Sequence, residues 1–375
     1  MSRFAAEIDL DDIRGNVSVL RDRAGTAQVM AVVKADGYGH GMLPAARAAV
    51  EGGASWLGVA FPEEATALRA AGITVPVLAW LITPADDVTE AVAHEVDLSA
   101  SAPWALDAVA AAARATGRTA RVHLKVDTGL GRAGATAGEW PTLVETAAKH
   151  VADGSLEVIG IWSHLAYADA PSHPTIARQR TAYDEALEVA ARAGLTPQVR
   201  HLANSAATLA LPDTHYDLVR PGVAVYGLSP GPAVGVAAEL GLRPAMRLSA
   251  RVALVKEVGA GQGVSYGHRY TTDRPTRLAL VPLGYADGIP RNATNVGPVQ
   301  VGGRRCTVSG TVCMDQFVVD VGDLPVQAGD PVVLWGPGDG GEPTADDWAA
   351  ATGTINYEIV TRVGARVPRT YRGER

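Results

Sequence analysis

The stretch AVVKADGYGHG, residues 31–41, combines a lysine, a tyrosine and a histidine with three glycines. The apolar residues before Lys34 are typical of a buried strand, and the glycines after it predict a tight turn. A lysine at such a junction can reach a bound ligand as a nucleophile or as a base. Tyr38 follows four residues later and reaches the same place if the turn opens a helix. Taken alone, the stretch is better explained by a solvated lysine before a glycine-rich turn, because isolated short motifs often match by chance.

Polar side chains recur where other apolar runs end. In a (β/α)8 barrel the carboxyl ends of the parallel strands meet on one rim, which is where such barrels place their functional groups. Polar ends on so many strands of one rim are therefore better explained by a shared site than by separate packing roles. The residues concerned are Lys34, Lys125, Asp127, Arg132, His164, Asn204, Ser205 and Arg220.

The elements that would position these groups alternate from residue 6 to about residue 225. Apolar runs of four to eight residues, beginning with AEIDL, are separated by Ala-rich helical segments such as PWALDAVAAAARATG. Eight or so such units predict an N-terminal (β/α)8 TIM-type barrel over residues 1–238. Residues 239–375 are rich in Val, Thr and Gly, with frequent turns, and predict a mainly antiparallel β domain. Within that domain, TADDWAAATG predicts a helix that Thr344 caps and Gly353 ends.

Composition limits the function classes. The chain has 375 residues, of which 47% are hydrophobic and 19% charged, and its net charge is −7. An acidic chain without a basic patch is a poor partner for nucleic acid. The N-terminus lacks the apolar core of a signal peptide, and no apolar run approaches the roughly 20 residues of a membrane helix, so we expect a cytoplasmic protein. Two cysteines, Cys306 and Cys313, and scattered histidines predict neither a disulfide framework nor a metal site.

Ser205 and the backbone amides of Gly222 and Val223 offer the donors that a phosphate group requires, in the loops where such barrels commonly hold one. A phosphate on one side of the barrel mouth and Lys34 on the other predict pyridoxal 5′-phosphate, bound by the lysine as a Schiff base. Sugar-phosphate enzymes of the same fold are the competing explanation. They leave the glycine and tyrosine context of Lys34 unexplained.

Nine segments in order resemble those of alanine racemases, a family of fold-type III pyridoxal-phosphate enzymes. They span nearly the whole chain and both predicted domains: AVVKADGYGHG, KVDTGLGRAG, WSHLAYAD, HLANSAA, VRPGVAVYG, VSYGHRY, VPLGYADGIPR, GTVCMDQ and TINYEIVTRV. The resemblance implies a homodimer in which the β domain of one subunit completes the active site of the other. It also implies racemisation of L-alanine and D-alanine, a small-molecule amino acid, to supply D-alanine for peptidoglycan.

The resemblance makes Lys34 the cofactor lysine and the base on one face of the substrate α-carbon, and Tyr266 of the partner subunit the base on the opposite face. Two bases are needed because a proton leaves one face and is returned to the other. A tyrosine with a pKa near 10 is a poor base at neutral pH unless its phenolate is stabilised. His164 and Arg220 match the residues that supply this electrostatic environment.

The remaining site residues are implied in the same way. Arg220 also matches the residue facing the pyridine nitrogen, where a guanidinium disfavours a protonated ring and so weakens the electron sink. Arg132 and the amide of Met314 from the partner match the groups near the substrate carboxylate. The other implied cofactor contacts are Tyr38, Asn204, Ser205, Gly222, Val223 and Tyr357.

Lys125 matches a lysine that several family members carry as a carbamate, which orients the arginine corresponding to Arg132. Positions matching a gated access corridor and its surroundings are Asp169, Tyr285, Arg291, Asp315 and Ile355. Two residues depart from the family pattern: Thr311 stands approximately where many members have an arginine, and Ile289 where an aromatic residue precedes proline. Both departures bear on the charge of the corridor and on the range of substrates that can enter it.

Three alternatives compete with alanine racemisation. The first is a broad-specificity amino-acid racemase of the same fold, although the bulky rings of Tyr357 and Tyr285 favour a substrate with a methyl side chain. A non-catalytic pyridoxal-phosphate carrier would consist of the barrel alone and would lack Tyr266. A decarboxylase of basic amino acids would need a cysteine in a suitable context, and its β domain would not carry VSYGHRY and CMDQ in this form.

Overall fold

The computed structural model describes residues 3–374. The strands in the first part of the chain are β1 (Phe4–Asp9), β2 (Gln28–Val32), β3 (Trp56–Val59), β4 (Val77–Ala79), β5 (Asp97–Ala100), β6 (Ala120–Lys125), β7 (Leu156–Trp162), β8 (Val199–His201) and β9 (Leu218–Val219). The later strands are β10 (Met246–Arg251), β11 (Leu254–Val258), β12 (Gly263–Val264), β13 (Tyr270–Thr271), β14 (Thr276–Val281), β15 (Pro298–Val301), β16 (Arg304–Thr307), β17 (Phe317–Asp320), β18 (Pro331–Trp335) and β19 (Arg369–Arg372).

The α-helical segments are α1 (Leu10–Ala24), α2 (Lys34–Tyr38), α3 (Met42–Glu51), α4 (Pro62–Ala70), α5 (Thr89–Ala93), α6 (Pro103–Thr116), α7 (Trp140–Ala152), α8 (Thr175–Arg192), α9 (Ser205–Ala210), α10 (Ala345–Thr352) and α11 (Asn356–Thr361). Short 3-10 helices include Val223–Tyr226 and Tyr266–His268. Across residues 3–374, no helix combines the length and the apolar character that a membrane span requires.

Strands β2 to β9 form one parallel sheet in the order β8-β7-β6-β5-β4-β3-β2-β9. A parallel bridge between Asn204 and Arg220, just beyond β8 and β9, joins the two ends of the sheet. The prediction of a (β/α)8 barrel is therefore confirmed. One cluster of buried apolar side chains packs together within the barrel unit: Met30, Trp56, Leu78, Ile159, Val199 and Leu218.

The C-terminal part of the chain contains a six-stranded sheet, β16-β15-β18-β10-β1-β19, with further sheets of three and two strands. All pairings in these sheets are antiparallel except β1 with β19, so the prediction of a mainly antiparallel domain is confirmed. Helix α10 has the predicted ends, because the Thr344 side chain accepts from the Asp347 amide and Gly353 adopts φ +70°.

The predicted assignment of residues 1–238 to the barrel is wrong at its start. Strand β1, which contains AEID, pairs with β10 and β19 of the C-terminal sheet. Its side chains alternate between buried and partly exposed, whereas β3 to β5 are buried throughout. Alternation is typical of a sheet with one solvated face, and a barrel strand covered on both faces lacks it. Residues 3–12 and Tyr38–Gly41 therefore group with Arg243 onward, while Ile13–Gly37 and Met42–Leu242 form the barrel unit.

Candidate active site

Lys34 follows β2 and begins a left-handed turn. Ala35, Asp36 and Tyr38 have φ of +53°, +52° and +52°, and Gly37 has φ +61°. The expected helix after Lys34 is thus one left-handed turn, a conformation that costs about 1–2 kcal/mol for each residue with a side chain. Such strain persists only where surrounding contacts hold it, which is common at functional sites.

Two carboxylates hold this turn. The Glu64 side chain accepts hydrogen bonds from the Ala35 amide at 2.8 Å and from the Ala60 amide at 2.8 Å. Asp36 accepts from the Met42 amide at 2.8 Å. Bonds from backbone amides to ionised carboxylates are among the stronger ones in proteins, and they offset the strain beside Lys34. Glu64 was not singled out from the sequence, where it resembles an ordinary residue of a helical first turn.

The barrel unit gathers cationic side chains over two tryptophan rings. Lys34 Nζ lies 5.6 Å from the centre of the Trp80 ring. Lys125 Nζ lies 4.1 Å from the centre of the Trp162 ring, and the Arg220 guanidinium carbon lies 4.7 Å from the same centre. The structure thus brings together three of the predicted strand-end residues, and the aromatic faces partly compensate their charges.

The pKa values in this cluster are lowered first by burial and then by neighbouring positive charges. Burial and the nearby Arg132 lower the pKa of Lys34. Burial, Arg220 and Arg132 lower the pKa of Lys125 to about 7. The pKa of His164 falls well below its ordinary range because of burial and the same two arginines. His164 therefore contributes to the predicted electrostatic environment as a neutral imidazole, and the site as a whole favours an anionic ligand.

Arg220 is buried and donates to groups that carry no formal charge. Its guanidinium donates to the Ser163 carbonyl at 2.8 Å, to His201 Nδ1 at 3.2 Å and to His164 Nδ1 at 3.3 Å. Burial lowers the pKa of Arg220 to about 10, so the side chain remains a cation at neutral pH. Because a guanidinium only donates, His164 accepts at Nδ1 and keeps its proton on Nε2, where it can donate.

The residues predicted to hold a phosphate lie close together at the ends of β8 and β9. The Ser205 hydroxyl oxygen accepts from the amide of Gly222 at 2.8 Å, and Val223 begins the 3-10 helix that follows. Asn204 has a structural role here, because its side chain accepts from the Ala207 amide at 3.1 Å and caps α9.

The loop before Arg132 is organised by Asp127. The carboxylate of Asp127 accepts from the amides of Gly129 and Leu130 at 2.9 Å each, and from Gly131 at 3.0 Å. Arg132 itself is exposed. The polar end of strand β6 therefore positions the predicted substrate-binding arginine by fixing the loop that carries it.

Tyr38 and Tyr357, the two predicted phosphate ligands of the other unit, lie beside each other with ring centres 6.3 Å apart. Burial and the neighbouring Tyr357 raise the pKa of the Tyr38 hydroxyl. That hydroxyl therefore stays protonated over the physiological range and can act as a hydrogen-bond donor to an anion.

Tyr266 projects from a strained loop and is 74% exposed. The preceding residue, Ser265, has φ +62° and ψ −171°, a region that is almost restricted to glycine. Its hydroxyl donates to the Thr311 carbonyl at 2.6 Å, and the Thr311 hydroxyl donates to the Tyr266 carbonyl at 2.7 Å. These two bonds clamp the backbone of the loop, so the predicted base lies on a fixed support.

Replacing Thr311 with valine removes one of these clamping bonds at nearly constant volume. We expect the loop to relax and kcat to fall about tenfold, because a misplaced base loses favourable orientation. Cofactor absorbance should not change, since neither of the two clamping bonds involves a residue predicted to contact the cofactor. Thr146→Val removes the same kind of bond from an exposed helix and is the control. Unchanged steady-state kinetics in the Thr311 variant would show that the clamp has no role in turnover.

The residues assigned to the access corridor are exposed, whereas the two residues that depart from the family pattern are buried. Asp169 is exposed in the barrel unit; in the other unit Tyr285, Arg291, Asp315 and Ile355 are exposed, and Arg366 pairs with Asp315 at 2.7 Å. Met314, a further predicted contact, is 53% exposed. Thr311 and Ile289 are buried. Both side chains are uncharged and are packed away from the surface of the single chain.

Sequence reasoning missed several polar residues inside the barrel. Asp97, His123 and His201 are fully buried and belong to strands β5, β6 and β8. His123 lies two residues before Lys125 in VHLKVD, which places both side chains on one face of the strand. This spacing could have revealed His123 from the sequence, because it places the histidine on the same strand face as a predicted site lysine. An ionisable side chain on that face points into the barrel and requires polar partners there.

Comparisons with known proteins agree with this geometry. The family described as alanine racemase, N-terminal domain, matches residues 8–230, and alanine racemase, C-terminal domain, matches residues 245–371. The chain is 67% identical to an alanine racemase of Frankia casuarinae, over 98% of this chain and 96% of that protein. It is 62% identical to one of Salinispora tropica, over the full length of both.

Solved structures give the same result. The alanine racemase from D-cycloserine-producing Streptomyces lavendulae has 56% sequence identity and a TM-score of 0.99, with 100% of this chain and 98% of that chain covered. The enzyme from Streptomyces coelicolor A3(2) has 57% identity and a TM-score of 0.98, with coverage of 99% and 98%. Both family domains and these full-length similarities lead to one conclusion: the chain belongs to the alanine racemase family of enzymes.

Proposed function

We propose that this enzyme interconverts L-alanine and D-alanine, using pyridoxal 5′-phosphate held at the mouth of its barrel. The observation that carries the proposal is the cationic cluster of Lys34, Lys125, Arg132 and Arg220, in which burial and mutual repulsion lower the pKa of both lysines. A neutral lysine amine is a competent nucleophile and base, and the surplus positive charge suits an anionic cofactor and a carboxylate substrate.

The donor set fits the cofactor. Lys34 would bind it covalently, and Ser205, Gly222, Val223, Tyr38 and Tyr357 would surround its phosphate. Arg220 would face the ring nitrogen and His164 would lie nearby. When bound, pyridoxal phosphate acidifies the α-proton of an amino acid by withdrawing electrons from the α-carbon. Arg220 donates but cannot accept a proton, so it limits that withdrawal and disfavours side reactions such as transamination.

Proton transfer falls to two residues of different subunits. Lys34 would exchange a proton with one face of the α-carbon, and Tyr266 of the partner subunit would serve the other face. Tyr266, Met314 and Ile355 are all more than half exposed in the single chain, which suits residues that a second copy covers. A homodimer with shared active sites is therefore part of the proposal.

Substrate choice follows from the groups around the substrate. Arg132 and the partner's Met314 amide would bind the carboxylate, while Tyr357 and Tyr285 leave room for a methyl side chain. The enzyme would work in the cytoplasm and supply D-alanine for peptidoglycan. A racemase of broad specificity is less compatible, because a longer side chain would meet these rings.

A racemisation assay over a panel of amino acids tests this proposal. Purified holoenzyme is incubated with the L enantiomers of alanine, serine, lysine and arginine, and the optical activity is followed by circular dichroism. Alanine should exceed the two basic amino acids in kcat/KM by at least about a hundredfold. Comparable turnover of lysine or arginine would favour the broad-specificity alternative, and no turnover of alanine would refute the proposal.

We further propose that Lys125 carries a carbamate. Its amine attacks carbon dioxide, forms an N–C bond and releases one proton, and the resulting anion would pair with Arg132. Only the neutral amine reacts, and a pKa of about 7 makes half of it neutral near pH 7. With ¹³C-labelled bicarbonate we expect a carbamate resonance that strengthens as the pH rises from 6 to 8 and is absent in Lys125→Met. A wild-type spectrum without that resonance would contradict the assignment.

Lys125 also has a predictable effect on stability. Its pKa is about 7 in the folded chain and near 10.4 when unfolded, so between these values the unfolded state binds more protons and stability rises with pH. In buffer free of carbon dioxide, Lys125→Met should raise the free energy of unfolding at pH 6 by a few kcal/mol, on the order of the cost of charging the buried amine. This advantage should shrink as the pH approaches 10. Chemical denaturation at pH 6 and at pH 10 measures this difference in the free energy of unfolding. A difference that does not change with pH would contradict the prediction.

A further inference from the structure

A buried column of side chains leads away from Arg220 through the barrel interior. Arg220 Nη1 lies 3.2 Å from His201 Nδ1, and His201 Nε2 lies 2.8 Å from His123 Nδ1. His123 Nε2 lies 3.1 Å from Asp97 Oδ2. Asp97, His123 and His201 are fully buried and Arg220 is nearly so. None of the first three has a role in the proposed chemistry.

The two ends of the column determine its direction. A guanidinium can only donate, so His201 accepts at Nδ1 and carries its proton on Nε2. Burial alone would raise the pKa of Asp97, but hydrogen bonds from His123 and Arg121 lower it, so the carboxylate is ionised and only accepts. His123 therefore accepts from His201 at Nδ1 and donates to Asp97 from Nε2. Every hydrogen bond in the column points from the cation toward the anion.

Other protonation states leave donors facing each other. A cationic His201 would present an N–H to Arg220. A cationic His123 would donate to His201 Nε2 and move the His201 proton to Nδ1, where it would again meet Arg220. Burial, Arg220 and His123 lower the pKa of His201 well below its ordinary range, in agreement with a neutral ring. Two neutral Nε2–H imidazoles are thus the arrangement that satisfies every bond.

The surroundings hold both rings in place. Trp162 stacks on His201 with an interplanar angle of 3° and ring centres 5.6 Å apart. Trp56 meets His123 edge to face at 5.6 Å. Gly160 lies against the His123 ring, and a Cβ there would collide with Nδ1. The absence of a side chain at Gly160 therefore makes room for the central member of the column.

We propose that Asp97 is a positioning residue for Arg220, acting through the directed column His123 and His201. The carboxylate makes His123 and then His201 better acceptors, so the guanidinium is held at a fixed angle, since hydrogen bonds to charged groups are the stronger ones. The direction of the column is independent of the reaction. Its effect on turnover rests on the proposed function, in which Arg220 faces the cofactor.

The direction of the hydrogen bonds in the column can be measured on the wild-type enzyme. Long-range ¹H–¹⁵N correlation spectra of holoenzyme labelled at histidine distinguish the two neutral tautomers and the cation. We expect His123 and His201 to carry one proton each, on Nε2. A proton on Nδ1 of either ring, or a cationic ring, would overturn the proposal. This result does not depend on whether the enzyme racemises alanine.

Transmission along the column is tested by Asp97→Asn. The Nε2–H resonance of His201 should shift although its ring does not contact residue 97, and kcat for alanine should fall about tenfold with little change in KM. The control is Asp107→Asn, because Asp107 accepts from His150 at 2.9 Å on the surface and has no link to Arg220. It should change neither quantity. An unshifted His201 resonance in the Asp97 variant would refute transmission.

His123→Leu interrupts the column and provides an independent check should Asp97→Asn fold poorly. Asp97 keeps its pairing with Arg121 at 2.6 Å in this variant. We expect a similar loss in kcat, and no further loss when Asp97→Asn is added, because the only route to Arg220 has been removed. Losses that multiply in the double variant would show that Asp97 acts by another route and would overturn the proposal.

Discussion

Lys34→Ala is expected to abolish racemisation and the absorbance of the covalently bound cofactor. The variant lacks the amine proposed to bind the cofactor and to act as the base for one face of the α-carbon, so kcat/KM should fall by about 10⁴-fold or more. Absorbance spectra of the purified protein and a coupled assay for alanine measure the two losses separately. Folding should survive, because removing Lys34 also relieves repulsion with Arg132.

Lys149→Ala is the matched control for this experiment. Lys149 is an exposed lysine of α7, and its replacement should leave both the spectrum and the rate unchanged. A Lys34 variant that retains the covalent absorbance band would assign the cofactor to another amine. Lys125 would then be the first candidate, because burial lowers its pKa to about 7 and part of it is neutral at pH 7.

Tyr266→Phe should separate cofactor binding from catalysis. The ring is 74% exposed in the single chain, so loss of its hydroxyl removes a proton-transfer group without creating a cavity. We expect a normal cofactor spectrum and a fall in kcat of about 10³-fold, a typical contribution of a general acid or base. Proton abstraction from L-alanine should slow the most, while Lys34 should still exchange the α-proton of D-alanine in deuterated water. Full activity in this variant would refute the two-base assignment.

The two variants together test the shared active site. In a hybrid dimer of Lys34→Ala and Tyr266→Phe subunits, one site contains both native residues if the tyrosine comes from the partner. Random reassortment of the inactive homodimers should then restore about a quarter of the wild-type activity. Tyr167→Phe paired with Lys34→Ala is the reference mixture, because Tyr167 is an exposed tyrosine of the barrel unit outside the proposed site. Half of its sites contain both native residues whether or not subunits exchange, so it should retain about half of the wild-type activity. No recovery in the first mixture would place both bases in one subunit.

The sequence by itself determined the fold class, the order of the two folds along the chain and which polar residues follow the barrel strands. Each rests on a local pattern: buried runs alternating with Ala-rich helices for the barrel, and polar residues at the ends of those runs for its rim. The helix from Ala345 to Thr352 was predicted with both ends because its signals, Thr344 and Gly353, are adjacent to it.

Other features depend on contacts between distant segments. Strand β1 follows the rhythm of the barrel along the chain, yet it pairs with β10 and β19, and pairing partners more than 200 residues away are not encoded in local periodicity. The burial of Thr311 and Ile289 likewise depends on the tertiary structure. Thr311 and Ile289 stand where corridor groups were expected, and the fold places both side chains inside.

The pKa values of the site lysines also depend on the tertiary structure. Lys34, Lys125 and Arg220 are far apart in the chain, and only their meeting within the barrel unit lowers the pKa values of the two lysines. The sequence identified Lys34 as a chemical group, because a lysine between an apolar strand and a glycine turn is a local pattern. Its protonation, the strained turn that supports it and the column behind Arg220 were decided by packing, since burial and proximity are properties of the folded chain.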